Sequence, residues 1–94
     1  MTLRFEWDEE KATANMAKHG VDFVEAQSVF ADPQSLTIFD VSHSGQEERF
    51  IDIGFSAFGR LLVIVYTERE DRIRIISSRL ATPNEQSTYE QANS

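Results

Sequence analysis

Three observations predict a single α+β domain built on a mainly antiparallel sheet. From residue 35 to residue 78, four segments rich in β-branched and aromatic residues follow one another with short turns between them. Two helix-start signals stand near the amino end, at Asp8 and Asp22, and a third stands at Thr82. The chain has 94 residues, 40% of them hydrophobic and 27% charged. That is one domain's length, near the lower end of what sustains its own core, and a globular composition.

The elements follow in order. Leu3, Phe5 and Trp7 alternate with Arg4 and Glu6, which predicts a first strand. Asp8 is placed to cap a helix that reaches His19. Acids at Asp8, Glu9 and Glu10 and bases at Lys18 and His19 complement its dipole, and Gly20 offers the left-handed stop. Asp22, with Glu25 three positions on, resembles a capping box for a second helix striped by Phe23, Ala26 and Phe30. Asp32-Pro33 ends it. These two helices are expected together on one face of the sheet.

Residues 35–40 read as a strand, Ser42-His43-Ser44-Gly45 as a turn, and residues 49–56 as a strand with Ile51, Ile53 and Phe55 on one face. Ala57-Phe58-Gly59 makes a tight connection to residues 60–67. There Leu61, Val63 and Val65 alternate with Leu62, Ile64 and Tyr66. A strand apolar on both faces belongs between neighbours and under cover on both sides. A turn through residues 68–72 leads to a last strand at residues 73–78. Thr82-Pro83-Asn84-Glu85 combines an N-cap, a proline in the first turn and a glutamate at the third position. The helix it starts has only Tyr89 and Ala92 to bury, so its end is expected to fray.

Charge and composition exclude several classes. There is no cysteine, hence no disulfide framework and no thiolate metal site. No apolar run approaches the roughly 20 residues a membrane helix needs, and the acidic start lacks the pattern of a secretory signal. A cytoplasmic home without membrane attachment is the expectation. The net charge of −7 lies wholly in residues 1–48, which carry ten acids against three bases. Residues 49–94 are balanced, and all six of their bases are arginines: Arg49, Arg60, Arg69, Arg72, Arg74 and Arg79. Arginine keeps its proton and offers a planar fork matched to phosphate. Arginines paired with neighbouring acids on a solvated sheet are the plainer alternative.

His19 and His43 stand 24 positions apart without ligand spacing around them, so neither a metal nor another cofactor is expected. No glycine-rich phosphate loop and no Gly-x-Ser-x-Gly elbow is present. Lys11, Asn15 and Lys18 fall on one helical stripe by their spacing of four and three. They form either a solvated helix face or a row of donors for a phosphate backbone.

Longer motifs carry a resemblance. Phe5-Glu6-Trp7-Asp8-Glu9-Glu10-Lys11, Asn15 and Lys18-His19-Gly20-Val21-Asp22-Phe23 resemble the opening of the BrnT family of bacterial toxins. Glu48-Arg49-Phe50, Ile53-Gly54, Gly59-Arg60-Leu61-Leu62-Val63, Tyr66-Thr67, Arg74-Ile75-Ile76-Ser77-Ser78-Arg79 and Ala81-Thr82 continue it, so that it spans residues 5–89. The sequence departs after Thr82, where Pro83-Asn84-Glu85-Gln86-Ser87-Thr88 holds no base and the family often has a basic run.

The resemblance implies the toxin half of a type II toxin–antitoxin pair with a RelE-like fold. It implies a small endoribonuclease that blocks translation by cleaving RNA and is neutralised in a hetero-oligomer by a ribbon-helix-helix, BrnA-like antitoxin. Metal-independent chemistry of that kind needs a proton carrier and cations that stabilise a phosphorane. Arg79, at the end of the last strand, is the first candidate stabiliser. Arg60 is the second, adjacent to it if the two strands pair as a hairpin. Arg49 is the third, some ~20 Å from Arg79 at about 3.3 Å per residue. His19 is the candidate proton carrier with Lys18 beside it, and Lys11, Asn15 and Arg74 are candidate RNA contacts. His19 is equally suited to satisfying the last carbonyls of its helix. A non-catalytic domain that binds protein or RNA, or an inactive toxin remnant, remains the alternative at this level.

Overall fold

Face-to-face alternation organises the molecule, a computed structural model of which describes residues 3–40 and 47–94. The turn expected at Ser42 to Gly45, and His43 within it, lies outside these residues. Five strands form one sheet: β1 (Arg4–Glu6), β2 (Leu36–Asp40), β3 (Arg49–Phe55), β4 (Leu61–Arg69) and β5 (Arg72–Leu80). The helices are α1 (Glu9–His19), α2 (Phe23–Gln27) and α3 (Pro83–Ala92), with a 3₁₀ turn (Ser28–Ala31) directly after α2. The strand order is β1-β5-β4-β3-β2. All pairs are antiparallel except β1, which adds to β5 in parallel over three residues.

β4 lies between β3 and β5 with antiparallel partners on both sides, as its two apolar faces require. Leu62, Ile64 and Tyr66 face a core formed with Val21, Phe23, Ala26 and Val29 of the helical layer. Val63 faces the other way, into a smaller cluster with Ile53, Ala81 and Tyr89. α1 and α2 thus share one face, and α3 covers part of the opposite one. Leu62 and Ile64 are fully buried, each contributing roughly 1.5–3 kcal/mol before entropy is counted.

The local signals behave as their chemistry dictates. Asp8 accepts from the amides of Glu10 and Lys11, and Gly20 ends α1 at φ 69°, where a side chain would be strained. Thr82 and Glu85 form a complete capping box at the head of α3. The box expected at α2 is only half made. Asp22 accepts from the Glu25 amide at 2.6 Å, but the Glu25 side chain turns inward to Arg60 and Ser56. The first strand stops at Glu6, and Trp7 instead packs edge-on against Phe23. β4 and β5 run further than expected, leaving a two-residue turn whose Glu70 has φ 55°.

The pairing of β4 with β5 is irregular at one point. Val65 stands opposite Ser77 while Tyr66 stands opposite Ile75, so Ile76 is an extra residue in β5. The bulge reverses which face the following side chains of β5 occupy.

Candidate functional site

β5 is the element that gathers the cations. β1 pairs only with Arg72 to Arg74 of that strand, so beyond Arg74 the outer edge of β5 has no strand partner. α1 lies along that open stretch. Lys11, Ala14, Asn15, Lys18 and His19 of α1 line a groove of about 220 Å³ with Ile76 and Ser77 of β5. The helical stripe read from the sequence therefore reaches a single site together with His19.

Asn15 plays a different part from the lysines beside it. It is buried, and its amide substitutes for the missing strand partner. Asn15 Nδ2 donates to the Val21 and Ser78 carbonyls at 2.8 Å each and approaches the Ser78 hydroxyl at 3.0 Å. Its oxygen accepts the Ser78 amide at 3.1 Å. These bonds tie the α1–α2 junction to β5 and hold the groove's two walls in place. Lys11 and Lys18 are exposed, and neither forms an ion pair with any described residue.

The arginines are distributed otherwise than a simple hairpin predicts. Arg79 pairs in register with Val63 and so stands on the face opposite the α1–α2 layer, where α3 packs. Its Nη1 and Nη2 donate to the two Glu85 oxygens at 2.7 and 2.8 Å, and Nη1 also donates to the Leu80 carbonyl at 3.2 Å. This pair holds the Glu85 carboxyl down at about 2, chiefly through the Arg79 hydrogen bond, and raises Arg79 in return.

Arg60, just before β4, reaches the helical face instead. It donates to both oxygens of buried Glu25 and to the Gly20 carbonyl. The Arg60 contact, ahead of a hydrogen bond from Ser56, lowers the Glu25 carboxyl against the opposing effect of burial. The sheet thus separates Arg60 from Arg79.

Arg49 heads β3 opposite Asp40. Phe50 pairs with Tyr66, so Arg49 lies beside Thr67 as expected and on the same face as Arg79. The two are roughly 13 Å apart along the strands and two strand spacings across them. Arg74 donates to Glu6 at 3.0 Å, and Arg72 donates to the same carboxylate at 3.2 Å. Arg74 and Arg79 stand on either side of Ser77 along β5, on the face opposite the α1–α2 layer, and neither lines the lysine-bearing groove.

Several partners carry no clear signal in the sequence. Glu85 and Glu25 were legible only as helix-capping residues. Glu6 was legible only as the polar position of a strand. Asp52 is buried, accepts from the Thr37 and Tyr66 hydroxyls, and has its carboxyl raised by burial above the ordinary 3.8. Asp32 ties three elements together by accepting the Phe55 amide, the Gln34 amide and the Tyr89 hydroxyl. A Cβ at Gly54 would lie 2.9 Å from the Ser35 Cβ, 3.0 Å from Val29 Cγ1 and 3.1 Å from Asp32 Oδ2, which accounts for the glycine. Among the described residues, no group of three or more His, Asp or Glu side chains is arranged to hold a metal ion.

These features define a small α+β protein with helices on both faces of a five-stranded sheet and a cation-lined strand edge. A family model described as the ribonuclease toxin, BrnT, of type II toxin–antitoxin systems matches residues 7–85. The chain belongs to the BrnT family, and it is a ribonuclease toxin of a type II system with a cognate antitoxin. The crystal structure of the Brucella abortus ribonuclease toxin, BrnT, shares the fold with a TM-score of 0.63 at 23% identity. The match covers 86% of this chain and 99% of that one. No curated protein sequence matches the chain. Among the described residues, no helix is long and apolar enough to cross a membrane.

Proposed function

We propose that this toxin cleaves single-stranded RNA without a metal, along the outer edge of β5. The observation that supports the reading most is the grouping of Lys11, Lys18 and His19 around Ser77, between Arg74 and Arg79 on the same strand. Lysines that form no ion pair with a described residue suit the phosphate backbone.

The reaction is transesterification. The ribose 2′-oxygen attacks the adjacent phosphorus as its proton passes to a base, for which His19 is the group best placed, with Lys18 beside it. The bond from phosphorus to the 5′-oxygen breaks, and that oxygen takes up a proton. The products are a 2′,3′-cyclic phosphate and a 5′-hydroxyl. Arg79 stabilises the charge on the pentacoordinate phosphorus, with Arg74 and Lys11 holding the flanking phosphates. Arg49 extends the track on the same face, whereas Arg60 and Asn15 serve by holding the architecture.

Cleavage of this kind inhibits translation in the cytoplasm until a ribbon-helix-helix antitoxin binds. Glu9 and Glu10, exposed on the outer side of α1, suit a basic partner of that type. The test is cleavage of 5′-labelled RNA in excess EDTA with analysis of the product ends. Undiminished cleavage leaving cyclic phosphates supports the reading. Activity lost in EDTA and restored by a divalent ion contradicts it.

A further inference from the structure

We propose that Glu85 is a positioning residue for RNA cleavage, clamping one end of the Arg79 guanidinium so that its side edge is presented as a fixed two-donor fork to a phosphate. The proposal rests on Arg79 acting as the stabiliser of the phosphorane. A guanidinium has five N–H donors in a plane. In Arg79, one on each terminal nitrogen goes to Glu85, and the second on Nη1 goes to the Leu80 carbonyl. The two with no partner among the described residues are Nε–H and the second Nη2–H. They point the same way from the same edge, the arrangement that matches two oxygens of one phosphate.

The clamp is itself rigid. Glu85 is the third residue of α3, where its Oε1 accepts the Thr82 amide at 2.8 Å and its own amide donates to the Thr82 hydroxyl. Tyr89, further along α3, is buried against Phe55 and bonded to Asp32. Glu85 therefore holds Arg79 from a docked helix rather than a loop, and the arginine loses little rotational freedom when phosphate arrives. The same carboxylate weakens the field that attracts RNA. Its removal therefore slows the chemical step without weakening binding.

Steady-state cleavage of a 5′-labelled mixed-sequence RNA oligonucleotide tests this with Glu85→Gln, Thr82→Ala and Arg79→Ala, each with its melting temperature. Glutamine still accepts the Thr82 amide, so Glu85→Gln keeps the cap and loses the charged clamp. It is expected to lower kcat roughly ten- to a hundredfold, the scale of a misplaced catalytic group, with KM unchanged or lower, and to lower the melting temperature at neutral pH because the stability of the ionised pair with Arg79 is lost. Thr82→Ala removes the cap hydroxyl and leaves the clamp. It is expected to lower the melting temperature and spare kcat. Wild-type or faster cleavage by Glu85→Gln overturns the proposal, as does a kcat that falls in step with the melting temperature in both variants. Should Glu85→Gln not fold, Glu85→Asp carries the same test, because it keeps the charge but draws the carboxylate back. Wild-type cleavage by Arg79→Ala instead overturns the role of Arg79 itself, which keeps the two failures distinct.

Discussion

Arg60 and Arg79 stand on opposite faces of the sheet, Arg60 bonded to Glu25 of α2 and Arg79 to Glu85 of α3. α2 and α3 thus each supply the carboxylate for one arginine. The consequences differ because Glu25 is buried, whereas Glu85 lies at the rim of α3.

Glu25→Ala is expected to cost about 2 kcal/mol, the value of charge-assisted hydrogen bonds lost while Arg60 swings into water. Arg60→Ala should be the more damaging change, because it leaves a buried carboxylate without its cation. Thermal melts of both variants check the order. RNA cleavage per folded molecule should be nearly unchanged in each.

Asn15→Ala should destabilise by about 2–4 kcal/mol, since the Ser78 amide and two carbonyls lose their partner in a dry setting. Denaturant unfolding measures this. A variant as stable as the wild type would show that water replaces the amide and that the groove does not depend on it.

Lys11→Ala and Lys18→Ala should leave the melting temperature unchanged and weaken RNA binding. If each lysine neutralises one phosphate, the slope of log affinity against log salt should become shallower by about 0.7 per lysine. An unchanged slope would place the RNA elsewhere.

Two carboxyls predict opposite pH responses. The folded state holds Glu85 at about 2, below its ordinary 4.5, so it contributes stability above about 4.5 that is lost as pH falls toward 2. Asp52 is raised by burial, so its contribution is favourable at low pH and is lost as pH rises through its folded value. Asp52→Asn, which keeps an acceptor for Thr37 and Tyr66, should therefore raise the melting temperature at neutral pH. The gain should shrink toward pH 4.

Much of the fold was legible because its signals are local. The two-sided apolar run around Leu61 to Tyr66, the caps at Asp8 and Thr82 and the stop at Gly20 each act within a few residues. The partners of the cations were not legible, because they depend on register. Asn15 lies on the same helical stripe as Lys11 and Lys18. Unlike them it is buried, bonded to the edge of β5 that β1 leaves open beyond Arg74. The face and partner of Arg79 depend on the extra residue at Ile76 and on where α3 docks. Neither leaves a periodic trace in the sequence.

The central claim is that a single guanidinium, Arg79, stabilises the phosphorane in a metal-free cleavage. The most direct measurement is the single-turnover rate of RNA cleavage in EDTA by the wild type, Arg79→Ala and Arg79→Lys, with circular dichroism and melting curves as fold controls. Arg79→Ala should be folded and slower by about 10²–10³-fold, the effect of removing one stabilising donor group. Arg79→Lys should recover little of that, because an ammonium does not reproduce the fork. A folded Arg79→Ala protein that cleaves RNA at the wild-type rate would contradict the account.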